Sequence, residues 1–152
     1  MGDPPKDLRK AQIFNIDIGS GDPVTPEPRR EVTDPTLGEE KITWLVYPVG
    51  TIIAEKLHPL VRLGPDNSRS KDIFDLSYLL PKSSIDLVKN AVNATFIYRG
   101  DMVPESFAKF LTDFDRSKLR RGWRAATSTV QNVRDFDASF TTIIEWFKNY
   151  SW

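Results

Sequence analysis

The 152-residue chain has no cysteine and one histidine, His58. Without thiols it can form no disulfide, no thiolate metal centre and no cysteine nucleophile. A single histidine argues against a His-rich zinc site and against a Ser-His-Asp triad. Net charge is missing too: 21 basic and 21 acidic residues cancel, so any charged partner has to be met by a local patch. No apolar run reaches membrane-spanning length, and the opening MGDPPKDLRK lacks the apolar stretch of a signal peptide, which predicts a cytoplasmic protein without membrane contact. There is no internal repeat and no low-complexity tract. What remains is ordinary for one soluble globular domain: 39% hydrophobic residues, enough to build a core, and 28% charged residues to coat it.

Residues 1–9 are rich in Pro and charge and predict a loose arm. "KAQIFNIDI", Lys10–Ile18, alternates Phe14, Ile16 and Ile18 onto one face and predicts a strand. Gly19 to Glu40 is dense in Gly, Pro, Asp and Glu and predicts a long irregular loop. "KITWLVY", Lys41–Tyr47, alternates again and predicts a second strand. Beyond Pro48 the periodicity is helical, over about 49–63, 70–80 and 84–98, with further helices beginning near Pro104, Asp115 and Asp137. The expectation is α+β: a partial sheet of two or three strands (1–47), then a helical C-terminal bundle (48–152), packed as one compact unit. Two strands make a thin sheet, so either the arm or another chain is expected to complete it, or the sequence is the second half of something larger.

Two helices carry charge where apolar residues belong. On a helical wheel, Ile52, Ile53, Ala54, Leu57, Leu60, Val61 and Leu63 form an apolar arc, with Glu55, His58 and Arg62 on the face expected to meet solvent. Lys56 falls inside the arc. A buried ammonium must snorkel, lose its proton or find an acid. On the next helix, Asp72 projects between Leu76 and Leu79, and Asp75 lies beside Lys71. Asp72 is also in the first turn, where a carboxylate is favoured by the free N–H groups and the helix dipole. The connector "GPDNSR" is short and turn-rich, so the two helices are expected to fold back and let Lys56 meet Asp72 or Asp75. Such a pair can be purely structural, or part of a site if Asp17, at the end of the first strand, converges on it.

Later in the chain, Arg116, Lys118, Arg120, Arg121 and Arg124 gather around Trp123. Such a patch can contact nucleic-acid phosphates and stack a base on the indole, or it can be a solvated helix face with Trp123 turned into the core. The final stretch "FTTIIEWFKNYSW" places Phe140, Ile143, Ile144, Trp146, Phe147, Tyr150 and Trp152 at helical spacing, first of all a packing face. If part of it is exposed, it offers a surface for self-association.

"IDIGSGDPVTP" and "YPVGTIIAEKLHPLVRLGPDNSRSKDIFDLSYLL" resemble the second half of the AbiEii/AbiGii nucleotidyltransferase toxin family, of polymerase-beta-like type. The matching features are Asp17 with Gly19, Gly21 and Asp22; Ala54-Glu55-Lys56-Leu57; and Arg69 with Lys71, Asp72, Asp75 and Leu76. The resemblance spans about residues 12–80, with 81–152 matching only as a helical tail. It implies transfer of a nucleoside monophosphate from an NTP to an acceptor such as tRNA, a partner antitoxin protein, and a role in phage defence by abortive infection. It also implies Mg²⁺ held by carboxylates, Asp17 among them as the third acid and activator of the acceptor. Lys56, Asp72 and Asp75 would join Asp17 as catalytic residues, and Arg69 and Lys71 would bind the nucleotide. The family's first motif, a Gly-Ser turn followed by two acids one residue apart, should precede Asp17, and nothing in these residues supplies it. "GSGD" at Gly19–Asp22 follows Asp17 and is no substitute. The resemblance therefore implies either an enzyme whose acidic pair comes from elsewhere, or a truncated, non-catalytic remnant serving as an interaction module.

Overall fold

A computed structural model describes residues 21–34 and 40–150 of the chain. The fold is α+β. Among the described residues two strands, β1 (Arg29–Thr33) and β2 (Ile42–Val46), precede six helices: α1 (Val49–Leu63), α2 (Ser70–Leu79), α3 (Ile85–Tyr98), α4 (Phe107–Thr112), α5 (Ser117–Ala126) and α6 (Phe136–Lys148). Each expected helix is present within a few residues. The strand expected over Lys10–Ile18 lies outside the described residues.

The region read as one long loop is corrected, because it contains β1. Arg-Arg-Glu-Val-Thr has no apolar alternation to announce a strand. It becomes one because β2 offers a backbone ladder, with Arg29 opposite Val46 and Thr33 opposite Ile42. Every residue of both strands is exposed, so this antiparallel ribbon buries no face. Its side-chain ties are few. The Trp44 indole donates to the Thr33 hydroxyl at 2.9 Å, and Tyr47 donates to Glu55 of α1 at 2.5 Å.

The helices start and stop where local chemistry directs. Extended Pro48 opens α1, and Gly64, in the left-handed region at φ 51°, ends it. Ser84, Ser106 and Asp135 each accept from the backbone N–H three residues on, capping α3, α4 and α6. A short 3₁₀ turn, Gly64–Asp66, reverses the chain so that α2 returns along α1. α1 packs chiefly on α3, while α2 touches α1, α5 and α6. Ile53, Leu57, Ile73, Leu76, Phe96 and Phe140 are fully inaccessible at its centre.

In α6, Phe140, Ile143, Ile144, Trp146 and Phe147 are all buried, so the packing reading of this stripe is the one the fold realises. Its buried side covers α2 and α4. Tyr150 is partly exposed, and Trp152 lies outside the described residues. Apolar side chains are exposed on the ribbon, where Val32 and Leu45 are 60% and 69% accessible, and at Ile97 and Met102, which are 76% and 89% accessible.

Candidate active site

The α1–α2 hairpin brings the misplaced charges together. The Lys56 ammonium lies 2.6 Å from Asp75 and 3.1 Å from Asp72. The other Asp72 oxygen accepts from Arg69 Nε at 2.6 Å. Asp72 is only 3% accessible, and a carboxylate taken that far from water needs both cations to offset its lost hydration. Burial alone would lower the Lys56 pKa, but the hydrogen bond to Asp75 and the charge of Asp72 outweigh it and hold the ammonium above its ordinary value. The two carboxylates thus favour the charged form of Lys56. Arg69 engages Asp72 through Nε and its side chain is 56% exposed, which leaves both Nη groups for an anion.

The start of α2 is fastened from behind. The Ser70 hydroxyl donates to the Leu119 carbonyl of α5 at 2.7 Å, and Gly122 makes room for it, since a Cβ there would come within 2.4 Å of that hydroxyl. Buried Asn67 accepts the Arg69 N–H at 2.7 Å through its side-chain oxygen. Lys71 stands apart: it is exposed and makes no ion pair among the described residues. Asp17, Gly19 and Ser20 lie outside the described residues, so their convergence on the cluster is not seen. Gly21 and Asp22 are described. Gly21 has φ 96°, open to glycine and strained for other residues, and a Cβ on it would meet the Tyr98 hydroxyl at 3.0 Å.

Asp22 leads to a second network that sequence reading missed. Arg99, at the C-terminal end of α3, grips both Asp22 oxygens at 3.0 and 2.7 Å. Arg99 also reaches Nδ1 of His58 at 3.1 Å, and Nε2 of His58 lies 2.8 Å from Asp101, which Arg62 contacts as well. Arginine can only donate, so Nδ1 accepts and the Nε2–H donates to Asp101. The expectation that His58 faces solvent is corrected: it is 7% accessible, edge-on to Phe96 at 5.0 Å. Its partners lie about forty residues away, beyond the reach of a helical wheel. The hydrogen bond from Arg99 holds the Asp22 carboxyl below the usual range, and that from His58 does the same for Asp101.

The basic segment does not form a stacking platform. Trp123 is 9% accessible, packed against Phe74 and Phe136 at centroid distances of 6.4 and 5.5 Å, so a base cannot reach its face. Arg120 is bound to Asp137 and Lys118 to Asp66, leaving Arg121 and Arg124 exposed. Nor do the described residues build a metal cage. No three His, Asp or Glu side chains among them converge, and the Asp72 and Asp75 carboxylates are already held by Lys56 and Arg69. Among the same residues, no helix is long and apolar enough to cross a membrane.

No curated protein and no solved structure matches the chain. A family described as nucleotidyl transferase AbiEii toxin, type IV toxin–antitoxin system, does match, over residues 5–144. That span takes in α3 to α5 and the first part of α6, and not only the segments about the Lys56 cluster. The chain belongs to the AbiEii nucleotidyl transferase toxin family of type IV toxin–antitoxin systems.

Proposed function

We propose that the chain provides the triphosphate-facing part of a toxin that transfers a nucleoside monophosphate from an NTP to a hydroxyl of an acceptor, tRNA being the acceptor class. The observation that carries this reading is the cluster at the α1–α2 hairpin: a charged Lys56 fixed by two carboxylates, beside an Arg69 anchored through one nitrogen with two left over. A point charge and a planar fork, both preorganised, suit the charge of a triphosphate. In the reaction the acceptor oxygen bonds to the α-phosphorus, the bond from that phosphorus to the β-bridging oxygen breaks, and pyrophosphate leaves. Asp17 is assigned the hydroxyl proton, and Asp72 and Asp75 hold Lys56 in place. Mg²⁺ would be held by Asp17 together with an acidic pair from outside these 152 residues, carried by another part of the toxin or by another polypeptide. The proposed setting is the cytoplasm, in a phage-defence module with an antitoxin partner.

A second reading draws on the same cluster. Two cations and two acids neutralise each other within it, so it would also serve folding in a non-catalytic interaction module. The two are separated by isolating the complex the chain forms in its native host and incubating it with α-labelled NTPs, magnesium and total tRNA. Label on the RNA that is lost in Asp17→Ala and in Lys56→Ala supports transfer. Label that survives both substitutions overturns the site assignment, and no label from the intact complex establishes the non-catalytic reading.

A further inference from the structure

On the side of α2 away from Lys56, a cavity of about 580 Å³ opens between α2, the turn after it, the loop before α6 and α6 itself. Small-molecule sites commonly occupy about 300–1,000 Å³. On the α2 wheel, Phe74 and Ser77 of its lining lie nearly opposite Asp72 and Asp75, so this is a different surface from the candidate active site. No carboxylate lines it. It holds two cations, Lys82 and Arg134, and neither has an acid partner among the described residues. Elsewhere Lys56, Arg62, Arg69, Arg99, Lys118 and Arg120 sit on acids, while Lys71, like these two, makes no ion pair among the described residues. Asp135, next to Arg134, does not line the cavity and accepts instead from the Ala138 N–H at the head of α6.

Ser139, 1% accessible, lines the cavity along with Lys82 and Arg134. Thr142 and Ser77 also line the space, but their hydroxyls are bonded to carbonyls of their own helices. A hydroxyl beside two cations that have no acid partner is an anion-binding arrangement. Next to it stands a flat apolar wall, the 59% accessible Tyr78 with half-buried Phe74. The Lys82 ammonium rests 3.3 Å above the centre of the Tyr78 ring.

We propose that this cavity is a second binding site, for a small phosphorylated ligand bearing a flat ring, in chemical class a nucleoside monophosphate. The phosphate is met by Lys82, Arg134 and the Ser139 hydroxyl. Lys82 exchanges its exposed cation–π contact for a stronger charge-assisted hydrogen bond and frees the Tyr78 face for the base. This site stands apart from the proposed transfer reaction and does not depend on it.

The test is titration of the whole protein with AMP by calorimetry, alongside adenosine alone and inorganic phosphate alone. AMP is expected to bind saturably and more tightly than either part. Lys82→Gln combined with Arg134→Gln should weaken it about tenfold or more, Ser139→Ala by a smaller factor, and Arg69→Gln not at all. Both cations are exposed, so the double variant should melt like the wild type. In a ¹⁵N-labelled sample, AMP should shift the amides of Tyr78, Lys82 and Ser139 before those of Lys56 and Asp72. The proposal is overturned by absence of saturable AMP binding, by binding that the Lys82/Arg134 variant retains, or by binding that Arg69→Gln abolishes.

Discussion

The helical bundle and the β1–β2 ribbon hold their shapes by opposite means. In the bundle, apolar periodicity turns directly into burial: Ile53, Leu57, Phe96 and Phe140 are wholly inaccessible, and the charge that intrudes at Lys56 is matched by acids from the neighbouring helix. In the ribbon all ten residues are exposed, and order comes from a five-pair ladder and a few side-chain bonds. Five cross-strand pairs without a buried face are marginal on their own. The comparison teaches that stability and the charged cluster share one region, while the ribbon carries apolar side chains that it does not bury. Removing one side chain should therefore have very different consequences in the two.

The largest expected effect is in the bundle. Phe140→Ala removes a fully buried ring that packs near Phe114 and Phe136, and should cost about 3–5 kcal/mol in urea unfolding. A cost below about 1 kcal/mol would mean that the bundle is not the cooperative core. Next comes Lys56→Ala, which leaves Asp72 with Arg69 alone and should cost about 1–3 kcal/mol. It also carries a pH signature. The folded Lys56 pKa lies above its unfolded value, so the pair's contribution is complete below the ordinary lysine range near 10.4 and is lost as pH rises through the folded value. Wild type should thus lose more stability than Lys56→Ala on the alkaline side, and the two should run parallel through neutral pH.

The sequence carries the bundle almost completely, because a 3.6-residue period over ten or more residues has few alternatives once Pro48, Gly64 and Ser84 mark the ends. It also carries the Lys56 pairing, because a cation in one apolar arc and acids on the margin of the next call for one another. Three things were not legible. β1 is dictated by its partner strand rather than by its own residues. His58 is buried by Asp101 and Arg99, residues distant in sequence. Trp123 sits among arginines that read as a patch, yet Phe74 and Phe136 draw the indole inward.

A smaller effect tests how the cluster is seated. Gly122→Ala would place its Cβ within 2.4 Å of the Ser70 hydroxyl, which must rotate away and give up its bond to the Leu119 carbonyl. The expected loss is about 1–2 kcal/mol, one buried hydrogen bond with some strain. Ser70→Ala in the same background should recover much of the strain, because it removes the oxygen that the new methyl meets. If it recovers nothing, the approach of α5 to α2 is not limited by this contact.

The smallest expected effect is the one that bears hardest on the ribbon. Trp44 is 51% accessible, and beyond its ladder place it makes one side-chain hydrogen bond, to Thr33. An exposed hydrogen bond competes with water, and a half-exposed indole on an open face has little burial to lose. Trp44→Ala should therefore change unfolding stability by no more than about 0.5 kcal/mol, and Leu45→Lys, at a 69% accessible position, by no more than that. Both melts should also be independent of protein concentration. A cost above about 1 kcal/mol that grows with concentration would show a second copy covering the ribbon in solution. The same cost without concentration dependence would show the ribbon covered by residues of its own chain.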